Sequence, residues 1–175
     1  MKRETRNLLK MRALAMASEP EQKTGPSATM ELLTFSLSTE TYGIESVYVR
    51  EVHPLEAFTP LPGVPSYILG LIHVRRQIMP VVDLKKFLNL PDSGLGELNK
   101  VLILHNEEME FGILADVVYG IQTVDMKDIS ATPPTVTGIG EAFLTGVTKE
   151  GLIVLNASTL LGDQKMVVEE EVSSY

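Results

Sequence analysis

Three histidines, His53, His73 and His105, and two aspartates that follow apolar runs, Asp83 and Asp116, are the side chains best suited to chemistry in this sequence. Histidine can shuttle a proton or hold a metal, and a carboxylate pair can divide acid and base roles. The spacing assembles neither arrangement. Each histidine stands alone in an apolar, strand-like stretch, without a second histidine or carboxylate at the separation a metal site needs. Asp83 reads as the cap of a short helix and Asp116 as a turn residue between strands. There is no G-x-S-x-G elbow and no Walker loop, and Gly138-Ile139-Gly140 opens no helix of useful length, so it reads as a turn. Asn156-Ala157-Ser158 has the form of a glycosylation acceptor, but a helix cap suits it better. The absence of cysteine excludes disulfides, thiolate zinc sites and cysteine nucleophiles. The expectation is no enzyme, no cofactor and no metal.

What stands out instead is a pair of adjacent cations, Arg75 and Arg76, inside the stretch Leu61 to Leu88. Leu61-Pro62-Gly63 ends the strand before it, because proline fixes φ and glycine accepts positive φ. Tyr67 to Val74 and Ile78 to Val82 are apolar runs, and Arg75-Arg76-Gln77 between them reads as a hairpin turn. Asp83 then caps Leu84 to Leu88. Pro80 lacks a ladder donor, which places its strand at an edge or a kink. Two arginines on a rigid turn suit recognition.

The remaining chain supplies scaffolding of the same kind. Leu33, Phe35 and Leu37 alternate with polar residues as in a half-buried strand. Further strands are expected at Thr41–Ile44, Tyr48–His53, Val101–Leu104, Met109–Leu114, Val117–Val124, Phe143–Val147 and Leu152–Leu155, and Asn156 caps a last helical turn through Leu161. Pro91 to Asn99 is a linker, and Pro133-Pro134 lies in a loop. A weak repeat runs through this order. Tyr42-Gly43-Ile44 returns as Phe111-Gly112-Ile113 after 69 residues, and Asp83 before its helix returns as Asn156 after 73. Gly70 and Gly146 each open a hairpin in the two copies. Short strands with Gly/Pro turns point to two small linked β-barrels.

Composition limits the partners. The net charge of −8 divides into about +4 on residues 1–17 and −12 on the rest. So acidic a body repels a polyanion, which argues against nucleic acid. With aromatics at 6%, a ligand- or oligonucleotide-binding barrel lacks its stacking groove. No apolar run approaches the ~20 residues of a membrane span, and the start lacks a secretory signal, so the chain reads as cytoplasmic. Residues 1–29 form a basic extension, with a helix over 2–17 and a linker. That helix reads either as a frayed end or as a docking helix. Residues 30–165 are the folded body, and 166–175, with Glu169-Glu170-Glu171, an acidic tail.

From Glu31 to Gly162 the chain resembles the CheW family, the coupling proteins of bacterial chemosensory arrays. The family pattern L-P-G-x-P-x-φ-φ-x-G-φ-φ-N-L-R-G-x-I-φ-P-V-φ-D-L (φ apolar) is met by Leu61, Pro62, Gly63, Pro65, Gly70, Arg75, Ile78, Pro80, Val81, Asp83 and Leu84. Tyr42, the Val49-Arg50-Glu51-Val52 strand, Phe111-Gly112-Ile113-Leu114 with Asp116, and Phe143-Leu144-Thr145-Gly146 extend the similarity. The resemblance implies a mainly β fold of two SH3-like five-stranded barrels around a shared core, with short helices. It implies a non-enzymatic scaffold bridging a CheA-type histidine kinase and the cytoplasmic tips of chemoreceptors, alternating with the kinase in rings. A related expectation is the same adaptor role in a non-flagellar, motility or developmental kinase system.

The partner-binding residues expected are Arg75, Arg76, Val49, Glu51, Gly70 and Leu102, of which the resemblance carries over Arg75, Val49, Glu51 and Gly70. Arg75 matches the arginine of N-L-R-G, where receptor contact is expected; read structurally, it is only a solvated hairpin residue. Val49 reads equally as core or interface. Gly70 matches a position where backbone is closely approached. Two departures flank the expected contact: His73 stands where the family has asparagine and Arg76 where it has glycine. An arginine at positive φ would cost on the order of 1 kcal/mol.

Overall fold

The computed structural model describes residues 28–92, 94–131 and 139–163, together with Met166. The expected N-terminal helix, the Pro133-Pro134 loop and the acidic tail beyond Met166 lie outside these residues; Met166 itself is buried in the core.

The chain forms β1 (Thr29–Leu37), β2 (Glu40–Glu45), a 3-10 turn (Ser46–Tyr48) and β3 (Val49–Pro54). There follow β4 (Ile68–Val74), β5 (Gln77–Val82) and α1 (Leu84–Phe87). The second half repeats that order as β6 (Lys100–His105), β7 (Glu110–Ala115), β8 (Val117–Asp125), β9 (Ile129–Ser130), β10 (Leu144–Thr148), β11 (Ile153–Leu155) and α2 (Ala157–Gly162). Both helices start on side-chain caps. Asp83 accepts from Lys85 N at 3.0 Å, and Asn156 from Thr159 N at 3.0 Å. Burial pushes the Asp83 carboxyl up from its ordinary value, against the pull of nearby Lys85.

Two sheets result, in the orders β8-β1-β2-β11-β10-β9 and β3-β6-β7-β5-β4. Each takes strands from both halves of the chain. The β1–β2 hairpin is inserted between β8 and β11, and the β6–β7 hairpin between β3 and β5. Each sheet closes through one long segment that changes neighbour. β8 pairs with β1 and then continues into β9, which pairs with β10. β3 pairs with β6, continues through Leu55 and reaches β4 as the Thr59–Leu71 bridge, with backbone bonds of 2.8 Å in both directions. The expected two five-stranded barrels thus differ by one short strand, because this closing contact is a two-residue strand in one barrel and a single bridge in the other. Both long segments also carry a bulge at the same place, opposite the Thr34/Phe35 step and at the Val49/Glu51 step.

Burial explains why so many strands read as unbroken apolar runs. One cluster, with Phe35, Tyr42, Ile44, Leu102, Leu104, Phe111, Leu160 and Leu161, lies between the barrels. A second fills the interior of the five-stranded barrel with Ile72, Val74, Met79, Val81, Val101, Ile103 and Leu114, and a third, Leu32, Leu152 and Val154, fills the other. On β6 successive residues therefore face different cores, so neither face is wet. The same holds for β1, which is not half-buried: Thr34 and Ser36 are buried too. Their hydroxyls are used by β8, Thr34 Oγ1 donating to Gly120 O at 2.9 Å and Ser36 Oγ accepting from Val117 N at 3.1 Å. Leu102 has no accessible surface. It is a core residue and offers a partner no contact, a correction to the expectation for that position. Phe87 of α1 packs edge-on against Tyr67 and Phe143, at centroid distances of 5.0 and 5.1 Å.

Pro80 does not lie on an outermost strand, since β5 sits between β7 and β4. Its strand meets β7 only at Val81 and Val82, so the missing N–H falls outside that ladder.

Candidate partner-binding site

Val74 pairs with Gln77, so the β4–β5 turn consists of two residues, Arg75 and Arg76. Both have positive φ, 47° and 68°. Such a turn matches the right-handed twist of its strands but favours Asn-Gly, since a Cβ is crowded in this region. The strain expected for an arginine at position 76 is therefore present, and Arg75 shares it. Arg76→Gly is predicted to raise stability by about 1 kcal/mol, the relief of the crowded Cβ exceeding the backbone freedom that glycine adds to the unfolded chain. A melting temperature higher by about 3 °C would register it.

Three side chains brace this turn against β3. Arg75 Nη2 lies 2.9 Å from Glu51 Oε2, with the Glu51 side chain 16% exposed and that of Arg75 72% exposed. Glu51 Oε1 is 3.2 Å from His53 Nε2 on the same face of the strand. Arg50, the bulge residue, donates to Glu110 and, at 3.3 Å, to Gln77 Oε1. Arg75 and Glu51 thus come together, whereas Val49, on the other side of the bulge, pairs with Leu104 and is half-buried against the core between the barrels. Arg76 projects from the same turn and is exposed. Ile78, beside it on β5, is 60% exposed, and His73, its cross-strand partner, is also exposed.

Gly70 is placed differently. It is buried, and its φ of 154° suits glycine. A Cβ there would fall 2.9 Å from the Thr59 carbonyl carbon and nearer still to its oxygen. The close approach expected at this position is made by the chain's own closing segment. Gly146, its counterpart, is approached in the same way by Ser130.

Sequence reasoning missed a buried ionic joint. Lys85 is wholly buried on α1, its Nζ 2.7 Å from Asp116 Oδ1 and 3.8 Å from Asp92 Oδ1. Asp116 Oδ2 accepts from Ser38 N at 2.8 Å, and its Oδ1 from Asn99 Nδ2 at 3.3 Å. Asp116 therefore ties the β7–β8 crossing to α1, to the linker and to the β1–β2 turn. With both oxygens engaged by donors, it is a structural carboxylate. A lysine two residues after a cap gives no sequence signal of such burial. The Glu51–His53 contact had one, the same-face spacing on a strand. Among the described residues, no group of three His, Cys, Asp or Glu side chains could hold a metal.

Comparison with known proteins identifies this arrangement. Residues 31–165 match the family model described as CheW-like domain. The chemotaxis protein CheW of Treponema pallidum is 31% identical over 162 residues, covering 89% of this chain and 91% of that protein. Protein FrzA of Myxococcus xanthus is 32% identical over 156 residues, covering 86% and 91%. The crystal structure of the scaffolding protein TtCheW from Thermoanaerobacter tengcongensis superposes with a TM-score of 0.67 at 30% identity, covering 73% of this chain and 89% of that one. The chain belongs to the CheW family, the non-enzymatic scaffold and adaptor proteins of chemotaxis.

Proposed function

We propose that this protein couples chemoreceptors to a CheA-type histidine kinase, working in the cytoplasm and reaching receptor arrays through its partners. The observation that carries the reading is the β4–β5 turn, which holds Arg75 largely exposed while Glu51 braces it from β3. A receptor's helical hairpin would meet the turn and β3, and the kinase's related domain would meet barrel-edge residues. Signal passes when receptor and kinase are held differently in two states, which requires only differential binding. No helix among the described residues is long and apolar enough to cross a membrane.

Arg75→Glu tests the receptor contact. Receptor pull-down is expected to fall about tenfold, since a like charge is placed against both Glu51 and the partner. The melting temperature should move little, because the Arg75 side chain is 72% exposed and its replacement can turn its charge into solvent. A large loss of stability with receptor binding intact would overturn the assignment.

A second reading keeps the mechanism and changes the pathway, to a motility or developmental kinase system. Arg76 favours it, as do relatives such as FrzA and PilI, whose names differ from those of the chemotaxis proteins. Co-purification with a histidine kinase outside the flagellar system would support it, and exclusive recovery of the flagellar kinase would exclude it.

A further inference from the structure

We propose that Arg76 is a specificity residue: its guanidinium selects partners that present a carboxylate beside an apolar side chain, while weakening the turn that carries it. The inference rests on the receptor-contact reading above and names the chemistry the receptor must supply.

Four observations converge on it. The residue occupies a backbone position, φ 68°, that glycine or asparagine fills with less crowding. Nothing in the fold repays that strain, since Arg76 has no ion pair or side-chain hydrogen bond among the described residues. Its cationic neighbours are held by internal partners, Arg50 by Glu110 and Arg75 by Glu51, which leaves Arg76 as the cation of this group without one among the described residues. Finally, the apolar companion is in place: Ile78 is 60% exposed on the strand that leaves the turn. Strain held by a side chain with no internal use points to a use outside the molecule.

The electrostatic setting sharpens the choice. Residues 18–175 carry a net charge of −12, which repels an acidic surface over most of its approach. A partner with a carboxylate opposite Arg76 gains there and loses elsewhere, which fixes orientation as well as identity. A partner presenting a lysine or arginine at that point would be rejected.

The test uses the full chain and the cytoplasmic hairpin of a chemoreceptor encoded in the same genome, with affinity measured by calorimetry at low salt and at 0.5 M NaCl. Arg76→Gly and Arg76→Asn are expected to bind the hairpin about five- to tenfold more weakly at low salt, and Arg76→Lys within about twofold of the parent. At high salt the gap should close to less than about twofold. The glycine variant should also melt higher than the parent, so weaker binding cannot be assigned to misfolding. Equal or tighter hairpin binding by Arg76→Gly, beside a parent that binds normally, would overturn the proposal and leave the receptor contact standing. A parent that fails to bind the hairpin would remove the receptor contact itself, and this inference with it.

Discussion

Asp116→Ala is expected to destabilise the protein by about 3–5 kcal/mol, the range for breaking one partner of a buried ion pair. The cause is what remains behind. Lys85 has no exposure, so its ammonium would lose the carboxylate at 2.7 Å and keep Asp92 at 3.8 Å, on a partly exposed side chain, with the weaker pull of the Asp83 carboxyl. Ser38 N and Asn99 Nδ2 would lose an acceptor at the same time. Urea unfolding should show a lower midpoint with an unchanged slope. Pairing the change with Lys85→Met should restore a large part of the loss, because the uncompensated charge is then gone. Additive losses in the double variant would mean that the two groups do not act as a pair.

Gly70→Ala should cost about 3 kcal/mol or more. The added Cβ would meet backbone atoms of Thr59, which cannot rotate away, and would hold a φ of 154° that L side chains rarely adopt. Gly146→Ala meets Ser130 and, at 2.7 Å, Ile129 Cγ2, but its φ is not in the positive region, so a smaller loss of about 2–3 kcal/mol is expected. Gly151→Ala provides the control. Its φ of 89° carries the backbone cost while nothing lies within 4 Å of the new atom, so about 1 kcal/mol is expected. Thermal melts of the three variants should rank in that order. A Gly70 variant as mild as the Gly151 variant would show that the closing segment yields easily and that its bridge to β4 contributes little.

Local chemistry made much of this fold legible. The caps at Asp83 and Asn156 follow from short polar side chains ahead of apolar turns, and the structure places both on backbone N–H groups. The repeat of Tyr42-Gly43-Ile44 as Phe111-Gly112-Ile113 locates equivalent strands, β2 and β7, each meeting a parallel neighbour at the glycine. Tertiary choices were not legible. Leu102 and Ile103 look alike as neighbours on an apolar strand, and only the assembled barrels decide that one faces the core between them and the other a barrel interior. Lys85 and Lys86 are likewise indistinguishable in sequence, although one is wholly buried and the other exposed. For the site, the turn with Arg75 and Arg76 was readable from its flanking runs, whereas Glu51 as its brace depends on β3 lying beside a hairpin that follows it in the chain.

The interleaving of strands has a consequence for how such a molecule could have arisen. Residues up to the 91–99 connection hold β1 to β5, and those after it hold β6 to β11, yet each sheet needs a hairpin from the opposite side of that connection. Neither portion could close a cylinder by itself. Two separate half-length copies would satisfy the same pairings only by embracing as a symmetric dimer, so an ancestral duplication would have fused an existing intermolecular clasp into one chain.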